Sequence, residues 1–410
     1  MTRMKDSGIE WIGEVPEEWE IVRLKDCLEI NNGKDYKDIE TDETGYPVIG
    51  SGGQFAYARK YLHDGTAILL GRKGTIDKPL YIEGKFWTVD TMFYGVPKSG
   101  IHAKFIYYVA LQIPFGLYST NTALPSMTQT DLQNHHFVMP PLDEQTQIAD
   151  FLDKKVAQLD KVKSLLEEQI KTLEDYRQSL IYETVTKGLD KTVALKDSGV
   201  NWIGQIPEGW GVKPIKYLVS TPVTDGPHET PTLYDEGIPF LSAESVKNGI
   251  LDFRYKRGYI SETAHKIFSR KVSPQKNDIF IVKSGATTGN VGIVNTDEIF
   301  DIWSPLALVR TRSDLANQKF IYYFMLSDAF TKQIQNKWSF GTQQNIGMGV
   351  IEKIKLVVPP LGEQTPIADF LDKKSEQINQ MIAIKKEQIE NINKQRQTLI
   401  YDYVTGKRRI

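Results

Sequence analysis

The chain has 410 residues, 40% of them hydrophobic and 25% charged, with a formal net charge of −2. That is enough apolar material for a buried core, and the length suggests two to three domains. A single cysteine, Cys27, excludes an internal disulfide, MTRMKDSGIEW lacks a charged-then-apolar signal segment, and no apolar run approaches the roughly 18–20 residues that span a bilayer. A soluble protein of the reducing cytoplasm with no membrane role is expected, and without a global basic excess any nucleic-acid partner must be met by local patches.

Residues 5–19, KDSGIEWIGEVPEEW, return at 196–210 as KDSGVNWIGQIPEGW, with Trp11 matching Trp202 and Trp19 matching Trp210. A second repeat is longer: PPLDEQTQIADFLDKK at 140–155 becomes PPLGEQTPIADFLDKK at 359–374, changed only at Asp143/Gly362 and Gln147/Pro366. The short motifs lie 191 residues apart and the Pro-Pro motifs 219, so the second intervening region is 28 residues longer (219 − 191). The order is short motif, variable region, long helix, stated twice.

The first variable region offers the strand-like runs GYPVIG, TAILLG, PLYIEG, FWTVD and MFYGVP between Gly, Pro and Asp breakers, then the amphipathic KFIYYVALQI. The second offers IPFLSA, NDIFIVKSG, NVGIVNT and SPLALVRTR, then KFIYYFMLSDAFTKQIQ. KFIYY at 104–108 and 319–323 marks the two regions as related. Each reads as one compact α+β domain.

After each Pro-Pro a helix begins. Leu152, Leu159, Val162, Leu166, Ile170, Leu173, Tyr176 and Leu180 recur at three- and four-residue steps. Leu371, Ile378, Met381, Ile389, Ile392 and Leu399 do so in the second copy, with Lys385 a blemish at the place of Leu166. Some 40 helical residues make a rod of roughly 60 Å, and a narrow stripe suits a coiled-coil partner. The expected architecture is α+β: two globular domains separated by two long antiparallel coiled-coil helices, with a pseudo-twofold internal repeat. The segments are 1–142, 143–194 (first helix), 195–361 and 362–410 (second helix).

Several loops carry residue types suited to DNA. GRKGTIDK at 71–78 follows an apolar strand and presents Arg72, Lys73, Thr75 and Lys78, arginine being the side chain best matched to guanine O6/N7 and lysine to phosphate. KSGATTGN at 283–290 holds a comparable place with Lys283, Ser284, Thr287, Thr288 and Asn290. Neither is a Walker motif, since no Gly-Lys-Ser/Thr closes it. SGGQFAY at 51–57 is expected to be a turn with Gln54 and Tyr57 projecting. Asn121 and Thr122 in STNTALPSMTQ, and Gln343, Gln344 and Asn345 in SFGTQQN, are of types that can pair with bases, asparagine and glutamine with adenine in particular. His228 in TDGPHETP has no cysteine or second histidine at ligand spacing and reads as a loop contact or a structural residue. FRYKRGY interleaves Arg254, Lys256 and Arg257 with aromatics, and residues 250–290 hold eight Lys and Arg against three Asp and Glu. An ordinary solvated turn or face remains the plain alternative for each of these stretches. His135 and His136, beside the final strand, read as structural.

These repeats identify a resemblance. SG-[IV]-x-WIG-x-[IV]-PE-x-W and P-P-L-x-E-Q-T-x-IADFLDKK, each twice, with two variable domains alternating with two long helices, resemble the specificity (S) subunits of type I restriction–modification systems over essentially the whole chain. The resemblance implies that each variable domain reads one half of an interrupted double-stranded DNA target. The helices would set the spacing and dock two methyltransferase (M) subunits, and restriction (R) subunits would complete the assembly. Unlike domains imply unlike half-sites. Exposed apolar edges near Phe151 and Phe370 are the expected docking points. A non-catalytic chain is expected: no Asp/Asn-Pro-Pro-Tyr/Phe, no glycine-rich cofactor fingerprint and no clear nuclease cluster is present. No cofactor is therefore expected on this chain, with S-adenosylmethionine and ATP/Mg on the partners. A coiled-coil scaffold without a DNA role and a stand-alone modification enzyme are the alternatives.

Overall fold

A computed structural model describes residues 3–42, 44–118, 125–337 and 344–410, with the backbone of 339–340. The chain divides into two units, residues 1–167 with 385–410 and residues 168–384. Each unit thus takes one variable region, the start of one long helix and the end of the other.

The long helices run Leu142–Lys187 and Leu361–Val404. Asp143 and Glu144, and Glu363 in the second, lie in their first turns, where carboxylates complement the positive helix end. Each stops at a left-handed glycine, Gly188 (φ +74°) and Gly406 (φ +72°). Among the described residues, no helix is long and apolar enough to cross a membrane.

Unit 1 holds a four-stranded antiparallel sheet in the order Leu80–Ile82, Ala67–Gly71, Met92–Pro97, Leu28–Asn32. A five-stranded mixed sheet lies beside it in the chain, with Lys85–Thr88 parallel to Tyr46–Gly50. Unit 2 repeats the scheme with a six-stranded sheet centred on Ile279–Val282 and Leu306–Val309 and a three-stranded sheet in which Ile238–Leu241 runs parallel to Asp301–Ile302. The fully buried runs Ala67–Gly71, Ile279–Val282 and Leu306–Val309 are apolar almost without a break, as central strands covered on both faces require. KFIYYVALQI forms the helix Ala103–Ala110. Its longer counterpart breaks at Ser327 into Gln318–Leu326 and Asp328–Gln335, because the Ser327 hydroxyl donates to the Phe324 carbonyl at 2.6 Å and its backbone is extended.

The repeated motif residues lock these parts together identically in the two units. Trp19 Nε1 donates to Glu144 at 3.0 Å, and Trp210 Nε1 to Glu363 at 3.1 Å. Gln145 accepts from the backbone N–H of His102 at 2.9 Å and donates to the Pro140 carbonyl at 2.9 Å; Gln364 does the same with Asn317 (2.7 Å) and Pro359 (2.9 Å). Asp153 takes Lys104 and the Tyr108 hydroxyl, both at 2.7 Å. Asp372 takes Lys319 and, at 2.7 Å, the Tyr323 hydroxyl. Burial of the ring, then the adjacent carboxylate, pushes the Tyr108 and Tyr323 phenols above their usual range, so both remain donors. Glu-Gln and the Asp of ADFLDKK therefore join the short motif, the KFIYY helix and the long helix, which gives a physical reason for the second repeat.

In unit 1 the two helical segments run antiparallel: Glu144 meets Arg409 at 2.9 Å, Phe151 meets Tyr403 at 4.6 Å between ring centroids, and Asp160 meets Arg396 at 3.3 Å. In unit 2, Arg177 donates to Asn379 at 2.6 Å, while Ile181 and Val185 share a core with Ile367, Ala368 and Leu371. Three expected seam residues, Val162, Tyr176 and Met381, are instead exposed (46, 54 and 42%), and Val156 and Ile382 are buried. A straight helix drifts relative to a strict heptad, so a stripe of three- and four-residue steps leaves the interface after a few turns. Lys385 is half-buried.

His135 carries a testable cost. It is buried, its Nδ1 lies 2.8 Å from the Tyr118 hydroxyl, its ring lies against Trp11, and its Nε2 has no partner among the described residues. Burial, aided by neighbouring His136, lowers its pKa to about 4 from about 6.5. The depressed value means that unit 1 is stabilised while this ring is neutral, above about pH 6.5, and loses that stability as pH falls from about 6.5 to about 4, by on the order of 3 kcal/mol. Thermal unfolding of His135→Phe should therefore fall less steeply with pH over that window than wild type; parallel curves would refute the assignment.

Candidate nucleic-acid interface

Each unit brings two separate stretches of sequence into one edge. In unit 1 the loop at 71–78 pairs with residues 125–127: Met127 N–H donates to the Arg72 carbonyl at 3.0 Å, Gly74 N–H to Pro125 at 2.9 Å, and Lys73 bridges Ser126. In unit 2 the loop at 283–290 pairs with residues 344–346: Ile346 N–H donates to Lys283 at 2.8 Å, Gly285 N–H to Gln344 at 3.1 Å, and Ser284 bridges Asn345. The polar stretches singled out separately in the sequence are thus neighbours in each unit. Asn121, Thr122 and Gln343 lie outside the described residues.

The side chains on these edges differ in availability. Lys73, Thr75 and Lys78 are exposed and Arg72 is half-buried; among the described residues none of Arg72, Lys73 and Lys78 has a carboxylate within ion-pair distance. Arg72 donates to the Asp90 carbonyl at 3.3 Å and lies over the Phe93 ring at 5.8 Å. In unit 2, Thr287 and Asn290 are exposed and Ser284 and Gln344 half-buried. Thr288 is turned inward, its hydroxyl donating to Gly285 at 2.7 Å and Gln344 at 3.1 Å. Asn345 is exposed with its bridge to Ser284.

Lys283, expected to reach phosphate, instead points into the unit. Its side chain is 12% exposed and binds Asp225, which is fully buried and also holds Lys271 at 2.6 Å and His228 at 3.2 Å. Burial alone would raise the Asp225 pKa, but hydrogen bonds from Lys271 and Lys283 outweigh it and hold it below the usual carboxylate range. His228 is itself 72% exposed, so it serves as a lid on that carboxylate and as a surface group at once. The partner of Lys283 lies 58 residues away in sequence, which is why the loop alone gave no sign of the pairing.

The basic excess of 250–290 is likewise mostly neutralised. Arg254 pairs with Asp252 at 2.5 Å, Arg257 with Glu244 at 2.7 Å and Lys276 with Asp297 at 2.6 Å. Three of these carboxylates, Asp225, Glu244 and Asp297, lie outside the counted window. Lys256 lies over Tyr259 at 4.9 Å, and Arg257 over Trp303 at 4.2 Å. Arg254 remains 84% exposed despite its ion pair, so it can still meet a phosphate.

SGGQFAY is the turn of a hairpin at residues 51–52 followed by the strand Gly53–Ala58, which pairs with Tyr46–Gly50 with a register shift at Val48/Ile49, so Gln54 and Tyr57 stand on the strand and not in the turn. Both are nonetheless exposed. Phe151 and Phe370 are corrected more fully: both are half-buried and packed into the cores of their units, with Lys155 and Lys374 over their rings at 5.9 and 6.0 Å. The apolar side chains that are exposed at the helix starts are Leu142 (46%) and Leu361 (43%). Among the described residues no group of three or more His, Cys, Asp and Glu could hold a metal ion. Cys27 is buried, and that burial pushes its thiol up to about 12, leaving it unreactive.

A family model described as the type I restriction modification DNA specificity domain matches residues 16–174 and 207–393. The chain is 24% identical to the type I restriction enzyme MjaVIII specificity subunit of Methanocaldococcus jannaschii, over 97% of this chain and 94% of that one. It is 22% identical to the EcoBI specificity subunit of Escherichia coli, over 92% and 85%. A chain from a structure concerned with complex assembly and conformational transition of the type I R-M system shares the fold, with a TM-score of 0.69 and 15% identity over 95% and 98%.

Proposed function

The chain belongs to the type I restriction–modification specificity subunits, and from that premise we propose that it reads an asymmetric, bipartite double-stranded DNA target through one loop edge in each unit. The observation that carries this reading is the repeated pairing of 71–78 with 125–127 and of 283–290 with 344–346. It offers two edges built on one plan but lined with different side chains, as two unlike half-sites require. Base edges in the major groove present distinct donor and acceptor patterns to such side chains.

Phosphate contacts fall to Lys73, Lys78, Arg254 and Lys256, with Gln54, Tyr57, Thr75, Thr287 and Asn290 beside them as exposed polar contacts. The chain supplies recognition and no chemistry of its own. Two methyltransferase subunits carry S-adenosylmethionine, and restriction subunits carry ATP and Mg. The methyltransferase subunits dock on the helix starts, where Leu142 and Leu361 are exposed in a twice-repeated sequence.

The test is binding of the chain with its methyltransferase partner to duplexes containing a methylated genomic site and to scrambled duplexes. A preference of at least about 1,000-fold is expected, and equal affinity would defeat the reading. Salt dependence gives a second readout, because neutralised phosphates appear as a linear fall of log affinity with log salt.

A further inference from the structure

The two loop edges begin on a basic residue at the same structural position, yet that residue is used in opposite ways. Arg72 N–H donates to the Thr91 carbonyl at 2.9 Å, and Lys283 N–H to the Pro305 carbonyl at 2.7 Å. With the carbonyl, Gly74/Gly285 and bridge contacts given above, these four backbone contacts of one loop start each have a counterpart in the other. The neighbouring strands fall in the same register. Phe93 pairs with both Leu70 and Asn32, and Ala307 pairs with both Ile281 and Asp225. Arg72 and Lys283 stand two residues beyond Leu70 and Ile281 respectively, so Asn32 occupies in unit 1 the position of Asp225 in unit 2.

The following glycines agree: a Cβ on Gly33 would lie 2.0 Å from the Val89 carbonyl oxygen, and one on Gly226 2.1 Å from that of Ile302. The difference is chemical. Asp225 is a fully buried carboxylate that draws Lys283 inward, whereas Asn32 is exposed and neutral. Among the described residues Arg72 meets only a carbonyl at 3.3 Å and an aromatic face. The ring holds the guanidinium plane in place without neutralising it, and the remaining N–H groups form the fork that matches O6 and N7 of guanine.

We propose that the residue ending this strand decides whether the first cation of the adjacent loop is offered to DNA: Asn32 leaves Arg72 available to a guanine edge, and Asp225 keeps Lys283 as an internal counter-ion. The proposal rests on the DNA-reading function above and assigns specificity within it. Arg72 is then a specificity-determining residue, and Asn32 a positioning residue acting through it. In unit 2 the base-reading work passes to the neutral side chains of the paired loops.

The experiment uses the full chain with its methyltransferase partner and a duplex of the genomic site at which that complex methylates. The wild-type complex must first prefer this duplex to a scrambled one; failure at that step defeats the DNA-reading function and not the assignment of Arg72. Each base pair of both half-sites is then substituted in turn. Asn32→Asp and Arg72→Ala should each relax discrimination at the same single G·C pair, by about 10- to 100-fold, and the double substitution should add nothing to Arg72→Ala. Asn32 is exposed, so Asn32→Asp should melt within a few degrees of wild type. Lys283→Met should lower the melting temperature and leave the base preferences intact.

Three results would overturn the proposal. One is a uniform weakening of all duplexes by Arg72→Ala, the mark of a phosphate contact. Another is unchanged discrimination in Asn32→Asp. The third is a relaxed base position in Lys283→Met. Should Lys283→Met fail to fold, the two unit 1 variants decide the question alone.

Discussion

Gly226→Ala is expected to destabilise unit 2 by more than about 4 kcal/mol, and Gly33→Ala unit 1 likewise. A Cβ at 226 would stand 2.1 Å from the Ile302 oxygen, 2.7 Å from its carbonyl carbon and 2.8 Å from that of Trp303. These atoms are backbone and cannot swing aside as a side chain would. Ile302 pairs with Leu241, Trp303 N–H donates to the Leu241 carbonyl at 2.9 Å, and Ser304 N–H donates to the Pro227 carbonyl at 3.1 Å. Making room would pull the strand Thr224–Asp225 from Leu306–Val309 and remove Asp225 from its lysines. A clash with fixed backbone and the exposure of a buried ion pair belong to the few mechanisms that exceed about 4 kcal/mol for one substitution. At roughly 2–4 °C per kcal/mol for domains of this size, the transition should fall by about 10 °C or more. Limited proteolysis should show cleavage confined to the unit carrying the change. A transition within about 2 °C of wild type would show that the strands yield more easily than their bonds imply.

The second large effect concerns the long helices. Inserting seven residues into each, near Gln169 and Ile384, keeps the buried stripe in phase and lengthens each helix by about 10 Å, or about three base pairs of B-DNA. If the helices set the separation of the half-sites, the preferred gap should grow by about three base pairs, and the original target should lose most of its specific advantage, on the order of 1,000-fold. Sequencing of methylated sites in cells expressing the variant with its partners reads this directly. Methylation at the original spacing would remove the helices from the role of ruler.

Much of the fold was legible because the chain states it twice. The repeat of WIG and PPLxEQ marked the two copies, the proline pair located the helix starts, and apolar runs such as TAILLG and NDIFIV located the central strands; that each long helix is divided between the two units, at 167/168 and 384/385, was not legible. What could not be read were partners far apart in sequence. Trp19 and Glu144 lie 125 residues apart, and nothing local to either indicates the hydrogen bond, although the recurrence of both in the second copy was a usable signal. The equivalence of Asn32 with Asp225 leaves no such signal, since INNGKD and VTDGPH share only the glycine. Charge counting over 250–290 misled for a related reason: ion pairs are closed by the fold, and a window cannot include a carboxylate contributed by another strand. Phe151 and Phe370 were placed outside because a helix shows two faces in sequence and only the packing decides which is covered.

The composition of unit 1 bears on how the chain is made. Residues 385–410 complete that unit: Arg409 binds Glu144 and Glu18, Lys407 reaches the Glu14 carbonyl, Tyr401 donates to the Trp11 carbonyl at 2.9 Å, and Ile400 and Val404 sit in the core with Trp19 and Leu152. Unit 2, by contrast, is one uninterrupted stretch. Domains fold as units, and residues 168–384 carry all of unit 2, whereas residues 1–167 lack the helix end that closes their core until residues 385–410 are present. A chain cut after residue 384 would keep a closed second unit beside an open first one, with Trp19, Leu152 and their neighbours uncovered for chaperones and proteases to find.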